Sequence, residues 1–158
     1  PPGAASDDPV AARPAPPTGT EEVAVERSPA EPPLVTGVRY AGHAGYDRVV
    51  IDLQGPMTGY TVTWVERLIQ DGSGDPIPVR GGAYLNVALS PAAAHTESGD
   101  PTWEQEPVRR VDLTNVRSVV KVGDFEGVVS VGIVLNRKAG FRVVELSDPT
   151  RLVVDVAH

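Results

Sequence analysis

Short valine-rich segments follow one another from Leu34 to the end of the chain, separated by Gly, Pro, Asp and Asn. Their apolar residues alternate or run in short blocks, which is typical of half-buried and fully buried strands. No stretch of a dozen residues has a helical period, so we expect an all-β fold, a sandwich or a barrel. About eight strands are predicted, from the candidate segments 35–40, 48–53, 60–67, 83–89, 109–113, 117–122, 128–135, 141–146 and 151–156.

The last two of these segments are joined by a short Asp-Pro connection and predict a hairpin. In the final segment the alternation places Arg151 and Asp155 on the outer face. An earlier segment places Arg48 and Asp52 on its outer face in the same way. We interpret these residues as solvated ion pairs rather than as a ligand site, because charged pairs on neighbouring strands are common on exposed sheet faces.

Residues 1–33 differ in composition from the rest of the chain. They hold nine of the sixteen prolines and contain no Leu, Ile, Met or aromatic residue. Such a segment buries too little apolar surface to offset about 1–2 kcal/mol of backbone entropy per ordered residue. The sequence therefore predicts a disordered proline-rich tether over 1–33 and one folded domain over 34–158.

Composition excludes several classes of function. The chain has no cysteine, which rules out disulfides, thiolate metal sites and a cysteine nucleophile. Its three histidines are far apart in sequence and lack metal-ligand spacing, so no metal or cofactor is predicted. A net charge of −7 argues against nucleic acid as a partner. No apolar run approaches the roughly 18 residues of a membrane span.

Two glycine-containing segments resemble functional loops only in part. The odd spacing of the carboxylates in Asp71-Gly72-Ser73-Gly74-Asp75 suits calcium, but the closing glutamate of an EF-hand is missing and a glycine-rich turn is the simpler interpretation. In Gly123-Asp124-Phe125-Glu126-Gly127 we expect a loop between two strands, with Phe125 tucked into the domain and the two acids on the surface.

The most suggestive single residue is Trp103, because it lies in a polar loop over residues 98–107. Its indole either stacks on a sugar ring or a partner side chain, or folds back onto the domain. Trp64, by contrast, shares strand parity with other apolar residues and is expected to point inward. Charged groups near the loop complete the predicted ligand-binding set: Trp103, Glu104, Arg109 and Arg110.

A series of motifs runs along the folded part: Tyr46-Asp47-Arg48-Val49-Val50-Ile51, Gly59-Tyr60, Asp71-Gly72-Ser73-Gly74, 82–87, Pro91-Ala92 with His95, Gly123-Asp124-Phe125-Glu126-Gly127, Phe141-Arg142-Val143 and 148–155. Together these motifs resemble the AMIN-like domain of actinobacterial cell-envelope lipoproteins. That domain is a relative of the AMIN domain of periplasmic amidases and secretins. The resemblance covers about 35–158, the whole folded part.

The resemblance implies a β-sandwich, export across the membrane and a role in locating proteins at the peptidoglycan layer. It implies no enzymatic activity, since the amidase relatives carry their zinc ligands in a separate catalytic domain. The expected location is the cell envelope, either as a lipoprotein on the outer face of the cytoplasmic membrane or as a secreted protein. A lost N-terminal lipid anchor is the only membrane contact expected.

Two functional classes follow from these observations. The first is a non-catalytic binding module of the cell envelope that contacts peptidoglycan or associated cell-wall glycan. The alternative is a protein-interaction or scaffold domain that adds a partner strand at an exposed sheet edge, with envelope proteins as partners. A hydrolase using carboxylates is a third class, for which no motif stands out.

Overall fold

The computed structural model describes residues 15–158, and the secondary structure of that part is entirely β. This confirms the predicted all-β class. The strands are β1 (Val23–Val25), β2 (Leu34–His43), β3 (Tyr46–Gln54), β4 (Gly59–Val65), β5 (Ala83–Ser90), β6 (Val108–Arg110), β7 (Val116–Phe125), β8 (Val128–Leu135), β9 (Phe141–Leu146) and β10 (Arg151–Ala157). Among the described residues, no helix is long and apolar enough to cross a membrane.

The strands form two antiparallel sheets that pack face to face as a sandwich. The six-stranded sheet has the order β1-β4-β5-β8-β7-β6, and the four-stranded sheet has the order β2-β3-β10-β9. One core cluster contains buried side chains from both sheets, including Val87 and Ile133 from the first and Ile51 and Val154 from the second. The predicted hairpin is confirmed as β9 and β10, which pair from Leu146 opposite Arg151.

A smaller apolar cluster covers part of the outer face of the six-stranded sheet. The segment between β4 and β5 folds back so that Leu68 packs on Val120, Val122 and Val134. A Cβ at Gly132 of β8 would collide with a terminal methyl carbon of Leu68, so Leu68 would have to shift from its present position. The packing of Leu68 holds the segment against β7, beside the site described below.

The N-terminal part of the described chain is ordered, so the prediction of a disordered tether was wrong for residues 15–33. Val23–Val25 adds a strand to the edge of the six-stranded sheet, with Val23 opposite Val62 and Val25 opposite Tyr60. As an edge strand, β1 obtains its backbone hydrogen bonds from β4. The side chains of Val23 and Val25 pack against the core and hold the strand in place. The predicted tether over residues 1–14 lies outside the described residues.

Trp64 occupies the inward position that its strand parity predicted. Its ring is partly buried against the core and meets the ring of Phe141 edge-on, with 5.6 Å between the centroids. The indole Nε1 donates a hydrogen bond of 2.9 Å to the carbonyl oxygen of Thr20. Trp64 therefore also fastens the N-terminal segment to the sandwich.

Candidate functional site

Trp103 is buried, with only 3% of its surface exposed, and belongs to the core cluster. Of the two alternatives that the sequence left for this residue, the indole has folded back onto the domain. Its Nε1 donates to Oε1 of Gln105 at 3.2 Å, and Nζ of Lys121 lies 5.2 Å from the ring centroid. Trp103 therefore forms part of the wall of a cavity rather than an open platform for stacking.

The other three residues of the predicted set do not line the cavity beside Trp103. Glu104 is exposed on the loop. Arg109 donates from Nε to the hydroxyl of Tyr40 at 3.0 Å, and Arg110 donates to its near neighbour Asp112 at 3.1 Å. Because Arg109 and Arg110 are adjacent in β6, they point to opposite faces of the strand. The structure does not bring the four residues together.

A cavity of about 510 Å³ lies beside Trp103, and we call it the Trp103 pocket. It is found at the edge of β7, past the point where the short strand β6 ends. Loops on either side of that edge complete its walls. The lining residues are Gln70, Ala94, His95, Gly99, Pro101, Trp103, Pro107, Lys121, Val122, Gly123 and Asp124.

His95 and Asp124 form a close pair in this pocket. Nδ1 of His95 lies 2.6 Å from Oδ2 of Asp124, and the backbone N–H of Ala94 donates to the same oxygen at 3.2 Å. The second carboxylate oxygen, Oδ1 of Asp124, is buried and has no hydrogen-bond partner among residues 15–158. Buried acceptors are almost always satisfied, so this oxygen is able to accept a hydrogen bond from a donor that enters the pocket.

A β-bulge in β7 explains why Lys121 and Asp124 serve the same pocket. In an unbroken strand, residues three apart point to opposite faces. The register between β7 and β8 shifts between Lys121 and Gly123, so that Lys121 pairs with Val131 and Asp124 pairs with Val129. Both partners are core residues of one face, and the bulge thus places a cation and a carboxylate on the same side.

Gly123 fixes the loop that supplies Gln70 to the pocket. A Cβ at Gly123 would collide with the side chain of Asp71. In the absence of that Cβ, Asp71 reaches across β7 and accepts a hydrogen bond of 2.8 Å from the hydroxyl of Ser130. The carboxylate of Asp71 is thus used within the fold, as the simpler interpretation of this glycine-rich segment requires. The described residues contain no group of three or more His, Asp or Glu arranged to hold a metal ion.

The prediction that Phe125 is tucked into the domain was wrong. It lies at the tip of the β7–β8 hairpin with 49% of its surface exposed. Glu126 and Gly127 form the two-residue turn with φ angles of 52° and 80°, a conformation that favours glycine and is typical of tight hairpins. Phe125 pairs with Val128 on the outer side of the sheet, near Gly72, and therefore stays outside the core.

The AMIN-like domain model matches residues 33–158 of the chain. The chain belongs to the AMIN-like family. No curated protein matches it by sequence. AMIN-like domains are generally non-catalytic binding domains of periplasmic and envelope proteins with peptidoglycan-related roles, and membership therefore indicates an exported, envelope-associated binding domain. Two of the motifs that carried the resemblance supply His95, Gly123 and Asp124 to the Trp103 pocket, and Asp71 from a third motif packs against Gly123.

Sequence reasoning missed Lys121 and Gln70 as members of this AMIN-like site. One sequence signal was available for Lys121, since the chain has only two lysines among its fourteen basic residues. In the structure, each of these lysines lies over a tryptophan: Lys121 over Trp103 at 5.2 Å and Lys138 over Trp64 at 5.0 Å. Gln70 gave no signal, because its position depends on the fold of the segment between β4 and β5.

Proposed function

We propose that this AMIN-like domain is a non-catalytic module of the cell envelope that holds cell-wall glycan in the Trp103 pocket. The proposal rests on one observation above all: Oδ1 of Asp124 is buried without a partner in a cavity that an indole helps to form. Sugars combine apolar ring faces with hydroxyl donors, which is the complement of this lining.

Asp124 and Lys121 are the two polar groups of the pocket that would contact a sugar directly. A glycan hydroxyl would donate to Oδ1 of Asp124, whose other oxygen is already engaged by His95. The ammonium group of Lys121 would donate to hydroxyl or amide oxygens of the glycan beside the indole. Because the cavity holds about 510 Å³, it has room for a sugar unit rather than for a long chain.

The proposed partner is peptidoglycan or a glycan attached to it. The protein would reach this partner after export, either as a lipoprotein on the outer face of the cytoplasmic membrane or as a secreted protein.

Co-sedimentation with purified peptidoglycan tests the proposal, with and without its attached secondary polymers. Lys121→Gln is the test variant and Lys138→Gln the matched control, because each lysine lies over a tryptophan but only Lys121 lines the pocket. We expect saturable binding that Lys121→Gln weakens by about tenfold, the loss of roughly one charge-assisted hydrogen bond. Equal binding by the two variants, or no binding by the unmodified chain, would contradict the proposal.

Asp124→Asn provides a second test in the same assay. An amide at residue 124 keeps an acceptor for the N–H of Ala94 but turns one carboxylate oxygen into a donor. A glycan hydroxyl that donates to Oδ1 would lose its acceptor, so binding should fall while the thermal unfolding midpoint stays close to that of the unmodified chain. Unchanged glycan binding by this variant would place the ligand elsewhere.

A second candidate function is protein interaction through the outer edge of β2. This strand pairs with β3 along its whole length, whereas its other edge is bridged, in the part of the chain that the structure describes, only where Leu34 meets Ala93. A free strand edge offers backbone donors and acceptors to a partner strand. Crosslinking to envelope proteins that is unaffected by Lys121→Gln, together with absent glycan binding, would favour this function.

A further inference from the structure

The outer face of the four-stranded sheet concentrates arginine. The register of the strands places four arginines and two aspartates on it, and we call this surface the arginine face: Arg39, Arg48, Arg142, Arg151, Asp52 and Asp155. Four positive and two negative groups give it a net formal charge of +2, although the whole chain carries −7. The excess of positive charge is therefore local to this sheet.

At one end of the face, two arginines share a single carboxylate. Arg48 donates to Asp155 from Nε at 2.7 Å and from Nη2 at 3.0 Å. Arg142 donates to Oδ2 of the same residue at 3.2 and 3.0 Å. Asp155 is fully buried beneath them, so the prediction that its ion pair is solvated was wrong. One carboxylate compensates only one of two guanidinium groups, so one positive charge is left over.

The other two arginines of this face are Arg39 in β2 and Arg151 in β10. Arg39 forms a bidentate pair with Asp52, at 2.7 and 2.8 Å. Arg151 donates to the carbonyl oxygens of Ser147 and Pro149, which are neutral. The second excess charge of the face is thus that of Arg151.

A shallow pocket with a volume of about 310 Å³ lies among these groups. Val50 and Val153 pair in the middle row of the sheet and form its floor. Arg39, Arg48 and Arg151 line its sides. Three cationic groups around a shallow apolar floor form a surface that suits an anionic chain lying across the strands.

The hydrogen bonds already made restrict what such an anion can be. Arg39, Arg48 and Arg142 all use Nε and Nη2, the paired donors that match a carboxylate, on aspartates of the protein itself. Among residues 15–158, Nη1 of Arg39 and of Arg48 donates to no protein group. These are single donors on different strands, which suit the tetrahedral oxygens of phosphate better than the planar fork of a carboxylate.

We propose that the arginine face binds a linear polymer with a phosphate group on its repeating unit, at a site separate from the Trp103 pocket. Since neighbouring strands lie about 4.8 Å apart, arginines on four strands spread over roughly 14 Å, more than one small anion can span. A polymer is favoured over a membrane because the large hydrophobic side chains exposed in the described residues, Ile69, Val108 and Phe125, all lie outside this face.

The test measures binding of the full chain to linear inorganic polyphosphate by calorimetry, with neutral dextran as the uncharged comparison. The double variant Arg39→Gln/Arg151→Gln removes two charges from the arginine face and leaves the buried Asp155 paired. Arg109→Gln/Arg110→Gln is the matched control, because it removes the same charge from exposed positions on β6. Thermal unfolding of both double variants verifies that they fold.

We expect the chain to bind polyphosphate and not dextran, with an affinity that falls as salt rises. Arg39→Gln/Arg151→Gln should weaken this binding by about tenfold or more and reduce the salt dependence by about two charges, while the control variant changes it less than about twofold. Equal losses in the two double variants would overturn the proposal, since they would mean attraction by net charge alone.

Two further probes decide the chemistry of the occupant. Polygalacturonate carries carboxylates, and binding as tight as that of polyphosphate would overturn the preference for phosphate. Vesicles of phosphatidylglycerol and phosphatidylcholine present phosphate on a membrane, and binding to them in preference to polyphosphate would overturn the assignment of a polymer. Lys121→Gln should leave polyphosphate binding unchanged, which separates this site from the proposed glycan site.

Discussion

Tyr60 donates a hydrogen bond of 2.6 Å from its hydroxyl to Oε2 of Glu145, and this bond joins the two sheets of the sandwich. Nη1 of Arg27, from the N-terminal segment, reaches the same oxygen at 3.2 Å. The pKa of Glu145 lies below its usual value, chiefly because of the hydrogen bond from Tyr60. Burial acts in the opposite direction and raises this pKa, whereas Arg27 lowers it further. Burial and the same bond raise the pKa of Tyr60.

Replacing this carboxylate should remove a pH-dependent part of the stability. Because the folded pKa of Glu145 lies below the ordinary value of 4.5, its stabilisation is complete above that pH and is lost as the pH falls through the folded pKa. Glu145→Gln should therefore unfold at a lower urea concentration than the unmodified chain at pH 7, and the difference should shrink below about pH 4.

The exposed Glu104 provides the control for this measurement. Glu104→Gln removes the same charge from a position without a partner on the opposite sheet, so it should leave the urea midpoint nearly unchanged at both pH values. A difference between Glu145→Gln and the unmodified chain that stays constant from pH 7 to pH 3 would show that charge at residue 145 is not what stabilises the fold.

Asp47 should be among the most sensitive polar residues of the domain. It is fully buried, and its Oδ2 accepts the backbone N–H of Asn115 at 2.7 Å and that of Val116 at 2.9 Å. Asp47→Ala leaves both donors unsatisfied and should lower the free energy of unfolding by about 2–4 kcal/mol. Asp47→Asn keeps an acceptor oxygen, so it should lower the thermal unfolding midpoint clearly less than Asp47→Ala does.

The inner faces of the strands could be predicted from the sequence because alternation is a local property. Val49, Ile51 and Leu53 in β3 fall on the buried face that their period of two indicates, and the residues that alternate with them are more exposed. A strand with one buried face needs no information from elsewhere in the chain to choose its orientation.

The Trp103 pocket could not be predicted in the same way. Its walls come from the segment around Gln70, the loop that carries Trp103, and β7. No periodicity relates these segments, since their positions depend on tertiary packing. The bulge between Lys121 and Gly123 adds a further obstacle, because it reverses the parity that simple alternation assigns to Asp124.

The N-terminal segment should contribute measurably to stability. Residues 15–33 add β1, the carbonyl of Thr20 that accepts a hydrogen bond from Trp64, and the contact of Arg27 with Glu145. A chain that begins at residue 34 should therefore have a free energy of unfolding about 2–4 kcal/mol below that of a chain beginning at residue 15. Coincident urea unfolding curves for the two chains would mean that the segment rests on the sandwich without stabilising it.

The two phenylalanines of the chain should respond very differently to truncation. Phe141 is 7% exposed and packs edge-on against Trp64, so Phe141→Ala should cost about 3–5 kcal/mol of unfolding free energy. Phe125 is 49% exposed at a hairpin tip, and Phe125→Ala should change the same quantity by less than about 1 kcal/mol. Chemical denaturation of both variants measures the contrast. A large loss for Phe125→Ala would mean that the ring is buried against Gly72 in solution, as its apolar character alone had suggested.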